Sequence, residues 1–194
     1  MIRDPLPNDL TFAPLTPDRW PDLETLFGPR GATGGCWCMW WRLKRSEFDA
    51  LKGDGNRAAF WSVVESGPPP GVLAYAGDQP VGWCAIAPRD RYPGLARSRI
   101  LKPVDDQPVW SVTCFFVAKG WRRRGLAVRL LGAAVAFARE NGAQIVEGYP
   151  VDPRQDMPAA FAWIGTASTF RQAGFVEVAR RSETRPIMRL ALTV

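Results

Sequence analysis

A chain of 194 residues, 46% hydrophobic and 23% charged, fits one soluble domain and is long enough to bury a core. The formal charge of +6 favours an anionic partner, and the lack of any histidine excludes a Ser-His-Asp triad, a Cys-His pair and nearly every zinc hydrolase site. Four cysteines, Cys36, Cys38, Cys84 and Cys114, are too few and too unevenly spaced for a disulfide scaffold and read as reduced thiols, with no metal expected.

The start, Met1-Ile2-Arg3-Asp4-Pro5, carries no apolar run, so the expectation is a cytoplasmic protein without a secretory signal. Thr16-Pro17-Asp18 predicts a helix start, with Trp20, Leu23 and Phe27 at helical spacing and a stop at Gly28-Pro29. A glycine-rich loop, Gly31 to Gly35, leads into the aromatic run Cys36-Trp37-Cys38-Met39-Trp40-Trp41. Ser46 can cap a second helix, which Gly53 and Gly55 break before a helical piece from Arg57 to Glu65. Gly67-Pro68-Pro69-Pro70-Gly71 closes the helical half.

The period then changes. Val72 to Tyr75 and Val81 to Ala87 predict a hairpin around Gly77-Asp78-Gln79-Pro80, followed by a polar connection, Arg89 to Pro108, and a long strand, Val109 to Val117. Leu126, Leu130, Leu131, Ala134, Val135 and Ala138 share one face of a helix that stops at Asn141-Gly142 and is too short, with Arg129 inside it, to span a bilayer. A strand from Ile145 to Tyr149, a helix from Ala159 to Gln172, and strands from Phe175 to Ala179 and Ile187 to Leu192 complete a mixed α/β layer pattern.

The chemistry concentrates in Val117-Ala118-Lys119-Gly120-Trp121-Arg122-Arg123-Arg124-Gly125-Leu126-Ala127, where a strand passes through a basic turn into a helix. The first helical turn leaves backbone N–H groups without intrahelical partners, and the macrodipole adds positive character there. An anionic phosphate satisfies both, Gly125 admits close approach, and the arginines add forked donors. From physics alone this segment is a pyrophosphate cradle.

The stretch resembles the acetyl-CoA loop of the GCN5-related N-acetyltransferase (GNAT) superfamily, Gln/Arg-x-x-Gly-x-Gly/Ala, at Arg122, Gly125 and Ala127, with Val117 closing the preceding strand. Ser168-Thr169-Phe170-Arg171-Gln172-Ala173-Gly174-Phe175 resembles the superfamily's second signature, a helix ending in Gly-Phe before a strand, and the element order matches from Val72 to Val178. The resemblance implies an α/β GNAT acyl-CoA N-acyltransferase fold, with a central, mostly antiparallel sheet, a splayed strand pair and flanking helices. It implies a single domain, residues 1–194, with a helical acceptor-side half (1–70) and an acetyl-CoA-binding core (71–194). It implies acetyl-CoA as co-substrate, its pantetheine arm on the backbone of Phe115, Phe116 and Val117 and its pyrophosphate on Arg122, Arg123, Arg124, Gly125, Leu126 and Ala127.

Many relatives place a carboxylate on the long strand and a tyrosine four residues before the Gly-Phe, whereas this strand offers Ser111 and Thr113, and the tyrosine position is Phe170. Glu147 is the acid on the other lip of the splay, read either as a base or as the partner of an arginine. Tyr149, on the same face by alternation, is read as a proton donor to the departing thiolate or as a hydrogen-bonded core residue. Ser168 and Thr169 are further donor candidates against ordinary helical backbone bonding, and Cys114 reads as a small buried hydrophobe. Trp37 and Trp40 are read as acceptor-binding faces or as core beneath the loop.

The expected reaction is direct transfer of an acetyl group from acetyl-CoA to a primary amine of a small-molecule or peptide acceptor, without metal, nucleic acid or membrane. Homodimerisation is left open. A second reading keeps CoA binding but not catalysis, motivated by the missing strand carboxylate and Phe170. A third, RNA-directed, rests only on the net charge, much of which sits in Arg122-Arg123-Arg124 and Arg180-Arg181.

Overall fold

Among the described residues seven strands form one sheet: β1 (Leu10–Pro14), β2 (Gly71–Ala76), β3 (Gln79–Pro88), β4 (Trp110–Val117), β5 (Ile145–Gly148), β6 (Val176–Arg180) and β7 (Pro186–Ala191), in the order β1-β2-β3-β4-β5-β7-β6. The computed structural model describes residues 6–7, 9–153 and 163–192. Every neighbouring pair is antiparallel except β4 and β5. A parallel pair needs a crossover, and helix α5 (Leu126–Glu140, numbered below) supplies it. The mixed, mostly antiparallel sheet with flanking helices is the fold expected from the sequence.

Among the described residues the helices are α1 (Trp20–Phe27), α2 (Arg45–Ala50), α3 (Asp54–Glu65), α4 (Pro93–Arg97), α5 (Leu126–Glu140) and α6 (Ala167–Gln172). Several boundaries differ from expectation, three of them at helices with a clear local cause. Helix α2 starts two residues earlier than a Ser46 cap requires, because the Lys44 amide donates to the Glu47 carboxylate at 2.9 Å and closes the first turn. Helix α3 runs through Gly55 from a Gly53 start, since a glycine in the first turn weakens a helix without ending it. Helix α6 begins at Ala167, where Thr166 accepts the Thr169 amide as N-cap; residues 159–162 of the longer predicted helix, like Met1 to Pro5, lie outside the described residues.

β3 is buried almost throughout, and its side chains alternate between two cores. Cys84 and Ile86 join Leu126, Leu130, Leu131 and Ala134 of α5, while Trp83 and Ala85 join Leu23 and Phe27 of α1 and Phe60 of α3. A strand covered on both faces reads as a continuous apolar run, which is how Val81 to Ala87 reads. Each buried leucine on α5 contributes about 2 kcal/mol from removal of apolar surface. α5 lies so close to β3 that a Cβ at Gly82 would meet Leu130 Cδ1 at 2.7 Å. A third, smaller core gathers Tyr92, Leu95 and Leu101 from the β3–β4 connection against Tyr149 and Ile187. Among the described residues no helix is long and apolar enough to cross a membrane.

Candidate functional site

β4 and β5 pair only over Trp110–Val112 and Val146–Gly148. Beyond that point β4 continues to Val117 without β5, so the two strands splay. The Ala118 amide bonds the Val81 carbonyl on β3, so backbone alternation turns Phe115 and Val117 toward the open side. There the protein supplies two partners of its own. The Phe115 amide donates to the Trp163 carbonyl at 2.5 Å, and Arg122 Nε donates to the Val117 carbonyl at 2.8 Å. The expectation of an open strand edge at Phe115, Phe116 and Val117 is thereby narrowed. Phe116 turns its backbone to β3, and of the polar groups on the splayed side Phe115 N–H and Val117 C=O are engaged.

After β4 the chain makes a short 3-10 turn, Lys119–Trp121, and enters α5 through Arg123 at φ 58° and Gly125 at φ 88° and ψ 0°. Among the described residues no acceptor takes the amides of Arg123, Gly125, Leu126 or Ala127; the first helical bonds are Val128 N–H and Arg129 N–H to the Gly125 carbonyl. The arginines are sorted by geometry. Arg122 is braced by Val117, Arg124 lies over the Trp121 ring at 4.9 Å, and Arg123 is exposed.

These groups open onto a cleft of about 870 Å³. One wall is the end of β4 with the turn and the start of α5. The facing wall is the segment Phe27–Arg30 with Ala32 and Thr33, and the floor comes from Trp163, Gly165, Thr166, Thr169 and Gln172. Phe115, Phe116, Val117, Arg122, Arg123, Gly125, Leu126 and Ala127 line it; Arg124, turned onto Trp121, does not. No carboxylate among the described residues lines it. The facing wall and Trp163 were not singled out from the sequence. The run Gly31 to Gly35 carried a loop signal, but nothing in it says which side of the sheet it covers.

Glu147 and Tyr149 are brought together, but away from the cleft. Glu147 is fully buried, and its carboxylate accepts from Arg89 Nη1 at 2.8 Å, Arg189 Nε at 2.7 Å and Tyr149 OH at 2.6 Å. Tyr149 also meets Ser111 Oγ at 2.8 Å and the Arg89 guanidinium. Burial, reinforced by the Glu147 charge, pushes the Tyr149 phenol well above its ordinary range and keeps it neutral. Arg189 reaches on to Asp105 at 2.6 and 3.0 Å. Of the two sequence readings for Glu147, the observed contacts are those of a carboxylate paired with arginine, twice over.

The tryptophans part company. Trp37 is buried, stacked on Trp20 with centroids 5.8 Å apart and tilted against Phe27 at 5.6 Å, so it faces the core beneath the loop. Trp40 stands at the surface with Arg45 over its ring at 4.6 Å, and touches Trp163 of the cleft floor at 6.4 Å. Neither lines the cleft itself. Phe170, at the position expected for a tyrosine, is a core ring edge-on to Phe115 and Phe175 at 6.0 and 5.0 Å. Thr169 does reach the cleft, its hydroxyl bonded to Thr166 Oγ1 at 3.0 Å.

Solved structures share this architecture. PaiA N-acetyltransferase of Thermoplasma acidophilum, in complex with coenzyme A, superposes with a TM-score of 0.53 at 12% identity, covering 95% of this chain and 99% of that one. YncA of Salmonella typhimurium, with its cofactor acetyl-CoA, gives 0.54 at 15% identity, covering 96% and 95%. A GNAT-family acetyltransferase of Streptococcus pneumoniae gives 0.53 at 14% identity, covering 95% and 100%. At such identities the likeness is one of fold. No curated protein is significantly similar in sequence. The family model described as acetyltransferase (GNAT) family matches residues 37–161, which takes in the splayed strand, the basic turn and helix α5. With a splayed sheet, an amide-lined turn opening on a cleft, and a family match over more than half its length, the chain belongs to the acetyltransferase (GNAT) family and is an N-acetyltransferase.

Proposed function

We propose that the protein transfers an acetyl group from acetyl-CoA directly to a primary amine of a small-molecule or peptide acceptor, within a ternary complex and without an acyl-enzyme. The observation that carries this reading is the row of amides at Arg123, Gly125, Leu126 and Ala127, without protein acceptors among the described residues and open to the cleft. Those amides suit a diphosphate, and Arg123 adds charge beside them. Val117, whose amide faces the splay, would meet the pantetheine arm. PaiA and YncA, solved with coenzyme A and acetyl-CoA, share the architecture, which supports the assignment of the carrier.

Acetyl-CoA would bring an already activated thioester, so this chain's residues have to bind, orient and exclude water. Phe27, Phe115, Phe116 and Trp163 make the inner cleft apolar, and the N-terminus of α5 adds positive character near the carrier. Glu147 and Tyr149 fit a positioning role: their ion pairs fasten the β3–β4 connection behind the splay. The acceptor then enters past the Phe27–Thr33 wall, beside Trp163 and Trp40. The domain reading follows the same division, with residues 1–70 serving the acceptor side and 71–194 the carrier.

Calorimetric titration with CoA, followed by thioester consumption with a panel of amines, tests the proposal. Saturable CoA binding and sustained turnover with at least one primary amine are expected. Failure to bind CoA at millimolar concentration removes the carrier assignment. Binding without turnover on any amine leaves a CoA-binding module instead.

A further inference from the structure

A second cavity, of about 290 Å³, lies at the other end of β4 from the cleft, and the two share no lining residue. Trp110, the first residue of β4, forms one side with Ala87 and Pro88 from the end of β3. Met39 and Arg42 form another, and Gly67 with the three prolines that follow it closes the third. Among the described residues no carboxylate lines this cavity, whereas two arginines do, Arg42 and Arg91.

Arg42 is short of acceptors. Its Nη1 and Nη2 donate to the Arg91 carbonyl and the Tyr92 hydroxyl at 3.3 Å each, which is long for such bonds, and its buried Nε has no partner. The Tyr92 ring lies 4.5 Å from the guanidinium and offers it a π face, but among the described residues no carboxylate pairs with it. A charge held partly out of water without a counter-ion is costly, so an anion in the cavity meets a need the protein leaves open. Arg91 is exposed, 4.0 Å from the exposed carboxylate of Asp90, and adds a weaker positive field.

We infer that this cavity is a second ligand site, taking a small organic carboxylate with a flat or branched apolar body. The walls separate that class from a phosphate. Phosphate sites draw on several backbone N–H groups, and Pro68, Pro69, Pro70 and Pro88 have none. The Ser66 hydroxyl also lines the cavity, but it donates to the Ser62 carbonyl at 2.7 Å. The guanidinium groups are left as the main donors, planar forks that match a carboxylate. Met39, Val63, the proline rings and the Trp110 indole then suit the apolar body.

Calorimetric titration of the full chain with benzoate, its neutral amide benzamide and inorganic phosphate tests the inference, and none of these depends on coenzyme A. Benzoate is expected to bind at millimolar concentration, about tenfold more tightly than benzamide, with phosphate weaker than benzoate. Arg42→Gln, which keeps a side-chain amide but no charge, is expected to weaken benzoate about tenfold, while Arg123→Gln on the other cavity changes it by less than about twofold. A circular-dichroism melt checks that Arg42→Gln is folded, and the wild-type comparison of benzoate with benzamide stands without any variant. No benzoate binding at millimolar concentration, equal affinity for benzamide, or phosphate bound more tightly than benzoate would overturn the inference. So would an unchanged affinity in folded Arg42→Gln, or an equal loss in Arg123→Gln.

Discussion

At Gly125 the chain leaves the basic turn and enters α5 at φ 88°, a conformation that costs an L side chain about 1 kcal/mol or more. A Cβ there would meet nothing within 4 Å, so the cost is conformational, not steric. Gly125→Ala is therefore expected to lower stability by about 1 kcal/mol in urea titration and to weaken CoA binding in calorimetry, because the helix would relieve the strain by turning its first amides. An unchanged CoA affinity would remove Gly125 from the cradle. Arg122 is a different kind of residue: its Nε is spent on the Val117 carbonyl, so it shapes the turn as much as it offers charge.

Between elements, the main device is the buried charge cluster that binds β5, β7 and the β3–β4 connection. Glu147 on β5 faces Arg189 on β7 in register, and Arg89 reaches it from the start of the connection while also holding the Leu101 carbonyl at 2.6 Å. Removing the carboxylate charge takes the Glu147 ion pair from the largely buried Arg89 guanidinium, while Arg189 keeps Asp105. Glu147→Gln is expected to cost about 3 kcal/mol, read as a lowered urea midpoint with an unchanged m-value. If Glu147 were instead a proton acceptor in the reaction, the variant would lose kcat while keeping its midpoint.

Across the whole molecule, the excess of +6 would meet the proposed anionic carrier at exposed Arg30 and Arg123 on the cleft rim. Such exposed charges are screened within about 8 Å at physiological salt, whereas aligned amides are less so. CoA affinity is expected to fall as salt is raised and then level off at the contribution of the amides. Binding by isothermal titration across a salt series would expose the opposite case, affinity that declines toward zero.

The basic turn and the inward face of α5 could be read from residues alone because each is local: a strand end, a basic turn and a helix start fall within eleven consecutive positions, and Leu126, Leu130 and Leu131 mark their face by spacing. Strand β1 could not. It holds its place by pairing with β2 some sixty positions away, and its own five residues show little alternation. The same distance hid the fate of Glu147, whose arginines lie 58 and 42 positions off, and it hid the engagement of Phe115 by Trp163. Trp37 and Trp40 look alike in sequence, yet one is core and the other surface, because a left-handed bend at Trp37 and Cys38 reverses the chain between them. Sequence by itself determined the family, the layer class and the strand–turn–helix unit at the cleft, since these depend on short-range pattern. Tertiary structure alone decided which walls enclose the cleft and which charges are neutralised, since those depend on surfaces that only chain folding brings into contact.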